Sequence, residues 1–336
     1  MKSRTANNYV ETKLKKIFLL LLVLGAGTFA QQKNEIPRDT SFSIGSIASK
    51  VYKQFPFAKL VIPKLPDGVA EQKDIIYTSY GDRGLHMDIF SPMQKGKRYP
   101  GVILVHGGGW RSGNRQMEIP MAQFLASHGY VTATVEYRLS IEALYPAAVN
   151  DLKTAVKWMR ANAAKYNIDS NKIAVYGCSS GGQLAALLGT TNGLEQFETY
   201  SMYFKHSSNV QAVIDVDGVL NMADPDESGK DTIPGKPSAG AMWFGATYKE
   251  RPDLWTEASA INYVNEKTAP ILFINSSIPR FHAGRDEMIR KMNTHNIYSE
   301  VHTIQNTPHP FWLFHPWFDE ASNYILRFLD RVFKVK

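Results

Sequence analysis

The segment Lys172-Ile173-Ala174-Val175-Tyr176-Gly177-Cys178-Ser179-Ser180-Gly181-Gly182, followed by the apolar run Leu184-Ala185-Ala186-Leu187-Leu188, decides the reading of this chain. Residues 172–176 are short and rich in apolar side chains, as in a buried strand. Residues 182–189 have helical character. Between them lies G-x-S-x-G, with Ser179 at the centre. In a strand-to-helix context this pattern describes a sharp, strained turn that lifts a nucleophile above the end of a sheet. The flanking glycines admit neighbouring backbone, and the following helix offers N–H groups that favour negative charge. Ser180 and Cys178 are competing nucleophiles, but both fall off-centre, and Cys178 is expected to pack against the sheet.

Upstream, the apolar run Val102–Val105 leads into His106-Gly107-Gly108-Gly109-Trp110. Glycines at the end of a strand expose backbone N–H groups with no side chain in the way. Such donors can stabilise the oxyanion of a tetrahedral intermediate, and losing one typically costs about 3 kcal/mol. The expected donors are the N–H groups of Gly108, Gly109 and Ser180. The glycine spacing fits neither a P-loop nor a dinucleotide fingerprint.

The remaining pattern supplies the scaffold. Residues 74–80 and 85–90 alternate apolar and polar around Gly81-Asp82-Arg83-Gly84, a hairpin signal. Buried-strand runs follow at 101–105, 130–135, 172–176, 210–216 and 270–274, with a last strand at 299–304. Helices are expected at 146–165, 182–189, 287–294 and 318–335. In the first of these, Val149, Leu152, Val156 and Met159 recur at three- and four-residue spacing. Alternation of apolar strands with helices implies a mostly parallel sheet covered on both faces. Residues 31–73 read as an N-terminal lead-in and 74–336 as the catalytic domain. Residues 218–255 lack clear periodicity and are expected to form an insertion, either a lid or a substrate wall.

His106–Trp110, Tyr137-Arg138-Leu139 with Tyr145-Pro146-Ala147-Ala148, and Gly177–Gly182 occur in that order. Together they resemble the α/β-hydrolase superfamily, on the branch of hormone-sensitive-lipase-like and bacterial carbohydrate esterases. The resemblance covers roughly residues 74–335. It implies an α/β-hydrolase fold and a Ser-acid-His triad in that chain order, with no cofactor or metal. Ser180 stands where the branch usually has Ala.

The base should be a histidine after the last strand. His309, in Asn306-Thr307-Pro308-His309-Pro310-Phe311, resembles the late G-x-x-H-G-F segment of the family, with Pro310 in place of Gly. His302 falls within the strand, and His315 reads as a pocket or packing residue. The family form H-G-x-x-D is matched in spacing by His282-Ala283-Gly284-Arg285-Asp286, which makes Asp286 the expected acid. Asp215 and Asp217, near the end of the preceding strand, are the alternatives. Trp110, Arg280 and His282 are candidate substrate-binding residues.

The 336-residue chain has 44% hydrophobic and 21% charged residues, 24 Gly and 17 Pro. This excludes a disordered tail, a collagen-like repeat and a disulfide-stapled mini-protein. The net charge is +7, but residues 1–30 hold five basic residues and one acidic; the rest carries 33 basic and 30 acidic residues, a balance of +3. With no long basic run, nucleic-acid binding is not expected. Lys13, Lys15 and Lys16 precede an apolar core at 17–24 and the small-residue stretch Gly25–Ala30. That order predicts a signal peptide over residues 1–30 and export to the periplasm or exterior, with no membrane association after cleavage. Export and the resemblance lead to an expected serine esterase removing acetyl, methyl or feruloyl groups from polysaccharides or oligosaccharides, pectin or xylan foremost. A general carboxylesterase or lipase, and an inactive hydrolase fold used for binding, are the alternatives.

Overall fold

The computed structural model describes residues 39–94, 96–198, 201–230 and 235–335. The expected signal peptide lies outside them.

The lead-in is more ordered than its composition suggests. Ser43 caps a helix, α1 (Ile44–Gln54), by a reciprocal pairing: its Oγ accepts from the Ser46 N–H at 3.3 Å, and the Ser46 Oγ accepts from the Ser43 N–H at 3.0 Å. Ile47 and Val51, one turn apart, form the buried stripe. A two-residue strand, β1 (Lys59–Leu60), follows. The expected hairpin is β2 (Val69–Tyr80) and β3 (Arg83–Pro92), longer at both outer ends than the alternation indicates. Then come β4 (Tyr99–Val105), α2 (Ile119–Ser127), β5 (Val131–Val135), α3 (Ala147–Ala161) and β6 (Ile168–Cys178). The turn at Ser179 opens α4 (Ser180–Thr190), and β7 (Ala212–Val216) follows.

The expected insertion carries three short helices, α5 (Pro225–Ser228), α6 (Ala239–Phe244) and α7 (Pro252–Glu257). The chain returns to the sheet with β8 (Ile271–Ser276), α8 (Arg285–Thr294) and β9 (Ser299–Ile304). It ends with β10 (Phe314–His315), paired antiparallel to β1, and α9 (Trp317–Phe333).

The main sheet has the order β2-β3-β5-β4-β6-β7-β8-β9. Pairing is antiparallel from β2 to β5 and parallel from there to β9. Both faces are covered, and the strand period of two sorts the apolar residues between them. Ile103, Val105, Val175, Val213, Ile271 and Phe273 join α3, α4 and α8 in one core. Val102, Leu104, Ala174, Tyr176, Ile214 and Ile274 join α1, α2 and α9 in the other. This is the α/β-hydrolase fold with helices on both faces. Because β4, β6, β7 and β9 run parallel, the loops after them open on one rim, where ligands of open α/β sheets bind. No helix among the described residues is long and apolar enough to cross a membrane.

Candidate active site

Ser179 sits one residue past the C-terminal end of β6 with φ 55° and ψ −122°. This is a costly conformation for a residue with a side chain, and such strain persists only where the surroundings over-determine it. Two backbone hydrogen bonds do so: the Ser179 N–H donates to the Val216 carbonyl at 2.7 Å, and its own carbonyl accepts from the Gln183 N–H at 3.0 Å. Gly181 makes the turn sterically possible, since a Cβ there would collide with the Val105 carbonyl oxygen.

His309 arrives on the loop after β9, as expected. The Ser179 hydroxyl donates to His309 Nε2 at 2.8 Å. The imidazole is sandwiched on one side by the Phe281 ring, 3.8 Å between centroids and 5° from parallel, and touched edge-on by Trp312. His302, on β9, instead stacks on Tyr324 of α9, and His315 pairs with Asp319.

The acid differs from the expectation. Asp286 is on the first turn of α8 with its side chain 71% exposed, bonded to Arg285 at 2.8 Å. The His309 Nδ1–H donates instead to Asp217 Oδ2 at 2.9 Å. Asp217 is fully buried, follows β7 directly and adopts φ 54°. Its N–H donates to the Ile274 carbonyl at 3.0 Å, and its Oδ1 accepts from the Ser276 N–H at 2.7 Å. The second carboxylate oxygen is thus left for the imidazole. Asp215 is a packing residue: it accepts from the Gly218 N–H at 2.8 Å, and burial pushes its carboxyl far above the usual range.

The glycine loop after β4 lines the same cavity as Ser179. Gly108 has φ 129°, and a Cβ there would collide with the Ser112 carbonyl, so this turn requires glycine. The N–H groups of Gly108, Gly109 and Ser180 donate to no other part of the chain among the described residues. His106 braces the loop from below. It is buried, stacks on Tyr137 and donates from Nδ1 to the Gly107 carbonyl at 2.8 Å; burial lowers its pKa to about 4, so it stays neutral.

Gly108, Gly109, Ser179, Ser180 and His309 line a cavity of about 200 Å³, shared with Phe42, Trp110, Asp217, Val219, Glu227, Ala239, Arg280 and Phe281. Trp110 is there, but its ring stacks on Trp243 and its indole N–H donates to Gln183 Oε1 at 2.9 Å, so it acts as wall rather than as a polar contact. Arg280 also lines the cavity. His282 does not: its Nε2–H donates to the Ser276 carbonyl at 2.7 Å, which stabilises the turn after β8. Phe42, in the lead-in, had no signal beyond its aromatic character.

Behind the nucleophile strand, Cys178 is fully buried, donating from Sγ to the Tyr176 hydroxyl at 2.8 Å, and burial pushes its thiol well up. Glu118 is 1% exposed beside Tyr176, and burial raises its pKa to about 8. The folded state therefore keeps a proton that the unfolded chain releases above pH 4.5, so Glu118 lowers stability as pH rises from 4.5 to 8. Glu118→Gln removes this dependence. The stability gained by the variant should grow with pH across that window, by up to about 1.4 kcal/mol per unit. Urea unfolding at pH 5 and pH 8 checks this; an equal difference at both would mean that Glu118 is ionised in the fold.

The BD-FAE family model matches residues 87–315. Esterase LipC of Mycobacterium tuberculosis is 31% identical over 182 residues, 54% of this chain and 44% of LipC. The match thus spans less than half of that relative. Two solved structures share the fold. A truncated carbohydrate esterase from gut microbiota superposes with a TM-score of 0.65 at 23% identity, over 80% of this chain and 99% of that one. A bifunctional GH43-CE protein of Bacteroides eggerthii does so with a TM-score of 0.67 at 24% identity, over 78% and 38%.

Proposed function

The chain belongs to the BD-FAE family, and from that premise we propose that it is a serine hydrolase of carboxylic esters, acting on esterified saccharides. The observation that carries this reading is the pair of hydrogen bonds joining Ser179, His309 and Asp217 at 2.8 and 2.9 Å. It is the geometry by which a neutral hydroxyl becomes a nucleophile near neutral pH.

In the proposed reaction, His309 Nε2 takes the Ser179 proton as Oγ attacks the ester carbonyl. The N–H groups of Gly108, Gly109 and Ser180 stabilise the oxygen that becomes negative. Asp217 holds the proton on His309 Nδ1 and stabilises the imidazolium. His309 then protonates the leaving alcohol. Water, deprotonated by the same imidazole, attacks the acyl-enzyme; as the Ser179 ester bond breaks, His309 returns that proton to Oγ and the acid is released. Every proton moves between Ser179, His309 and the reactants.

Saccharide esters are supported by the likeness to a carbohydrate esterase from gut microbiota and by the aromatic walls of the cavity, Phe42, Trp110 and Phe281, which suit sugar faces. The basic, apolar and small-residue order at 13–30 supports export. A general carboxylesterase is the second reading, favoured by the name of the LipC relative. Mass spectrometry of products from acetylated and methylated pectin, acetylated xylan and feruloylated xylan, beside a p-nitrophenyl acetate-to-palmitate series, separates the two. Release of acetate, methanol or ferulate from polymer supports the first reading. Hydrolysis confined to p-nitrophenyl esters supports the second.

A further inference from the structure

Glu227, on α5 of the insertion, is 1% exposed and lines the cavity that holds Ser179. Burying a carboxylate is expensive unless it is paired and hydrogen-bonded. Here Arg280 meets it with two bonds, Nε to Oε2 at 2.9 Å and Nη2 to Oε1 at 3.0 Å. Breaking this pair would leave the buried Glu227 carboxylate uncompensated, so the guanidinium is held in place. Arg280 is also next in sequence to Phe281, the residue stacked on His309.

The two bonds to Glu227 occupy one edge of the guanidinium. Nη1 carries two further N–H groups and has no acceptor among the described residues. Lys230 adds a second cation 3.8 Å from the same carboxylate, and Asp226 is exposed and does not line the cavity. Of the other charged cavity residues, Asp217 is committed to His309 and Glu227 to Arg280. The guanidinium, fixed by Glu227, therefore lines the cavity that holds Ser179 and keeps one edge without an acceptor among the described residues.

We propose that Arg280, held by Glu227, is a specificity-determining residue that binds a carboxylate of the substrate close to the scissile ester. The ester this site takes is then one carried by an acidic, uronate-containing saccharide. A carboxylate suits the free edge better than a hydroxyl does, because a charge-assisted bond is roughly twice as strong as a neutral one. The inference rests on the saccharide reading above and narrows it.

The test is calorimetric titration with trigalacturonic acid and with its fully methyl-esterified, neutral counterpart. The wild-type protein should bind the acidic trimer at least about tenfold more tightly, with the difference shrinking as salt is added. The double variant Arg280→Gln/Glu227→Gln removes both charges without leaving either one buried alone, and its preference should fall to within about twofold. Arg280→Lys, which keeps the charge but loses the fork, should retain an intermediate preference. In parallel, the kcat/KM ratio for acetylated oligogalacturonide over acetylated xylo-oligosaccharide should fall in the double variant by a similar factor. A ratio within one variant cancels any general loss of activity. Equal wild-type binding of the two trimers, or a preference that survives in the double variant, overturns the proposal. Selective binding without turnover of any saccharide ester would instead overturn the function proposed above while leaving the carboxylate site standing.

Discussion

Ser179→Ala is expected to reduce kcat for p-nitrophenyl acetate by about 10⁴-fold or more, with the unfolding midpoint close to wild type. The change removes only Oγ. The backbone bonds that fix the turn, from the Ser179 N–H to Val216 and from Gln183 to the Ser179 carbonyl, do not involve the side chain. The donors at Gly108, Gly109 and Ser180 remain, so any residual rate measures polarisation of the carbonyl without covalent catalysis. Steady-state kinetics and thermal unfolding of the same sample decide the matter. A variant retaining a tenth of wild-type activity would move the nucleophile to another residue, Ser180 first.

Asp217→Asn is expected to lower kcat by about 10⁴-fold while Asp286→Asn stays within about twofold of wild type. Asp217 divides its two oxygens between the Ser276 N–H and the His309 Nδ1–H. Asparagine can satisfy both positions only with its oxygen toward Ser276 and its NH₂ toward the imidazole. Nδ1 must then accept rather than donate, which places the ring proton on Nε2, where the Ser179 proton has to go. The base is thereby disabled with little change of shape. Asp286, exposed on the first turn of α8, is bonded to Arg285, whereas the imidazole is bonded to Asp217. The reverse outcome, a loss with Asp286→Asn and none with Asp217→Asn, would require a different arrangement of the loops after β7 and β8.

That contrast shows what the sequence made legible. Ser179 and the glycine loop were readable because local rules determine them: a strand, a small-residue turn and a helix all lie within a few residues. The parallel sheet was readable from apolar runs of strand length, with ends displaced by a few residues, as for β6, which extends from Ile168 to Cys178. His309 was readable because it is a histidine just after the last strand. The acid was not, because spacing alone cannot say which of two adjacent strands delivers it. H-A-G-R-D at 282–286 matches the familiar spacing, yet its histidine binds the Ser276 carbonyl and its aspartate faces solvent. A signal for Asp217 was present in weaker form: it is the first residue past the buried strand β7, as Ser179 is past β6, and it precedes a glycine. Glu227 and Phe42 carried no local signal, since their place at the cavity depends on how the insertion and the lead-in pack.

The most direct test of the Ser179–His309–Asp217 machinery is mass spectrometry of the intact protein and its peptides after brief treatment with a fluorophosphonate. One adduct per chain is expected, assigned by fragment ions to Ser179 and formed far more slowly in His309→Ala. No adduct on the folded protein, or one residing on Ser180 or elsewhere, would contradict it.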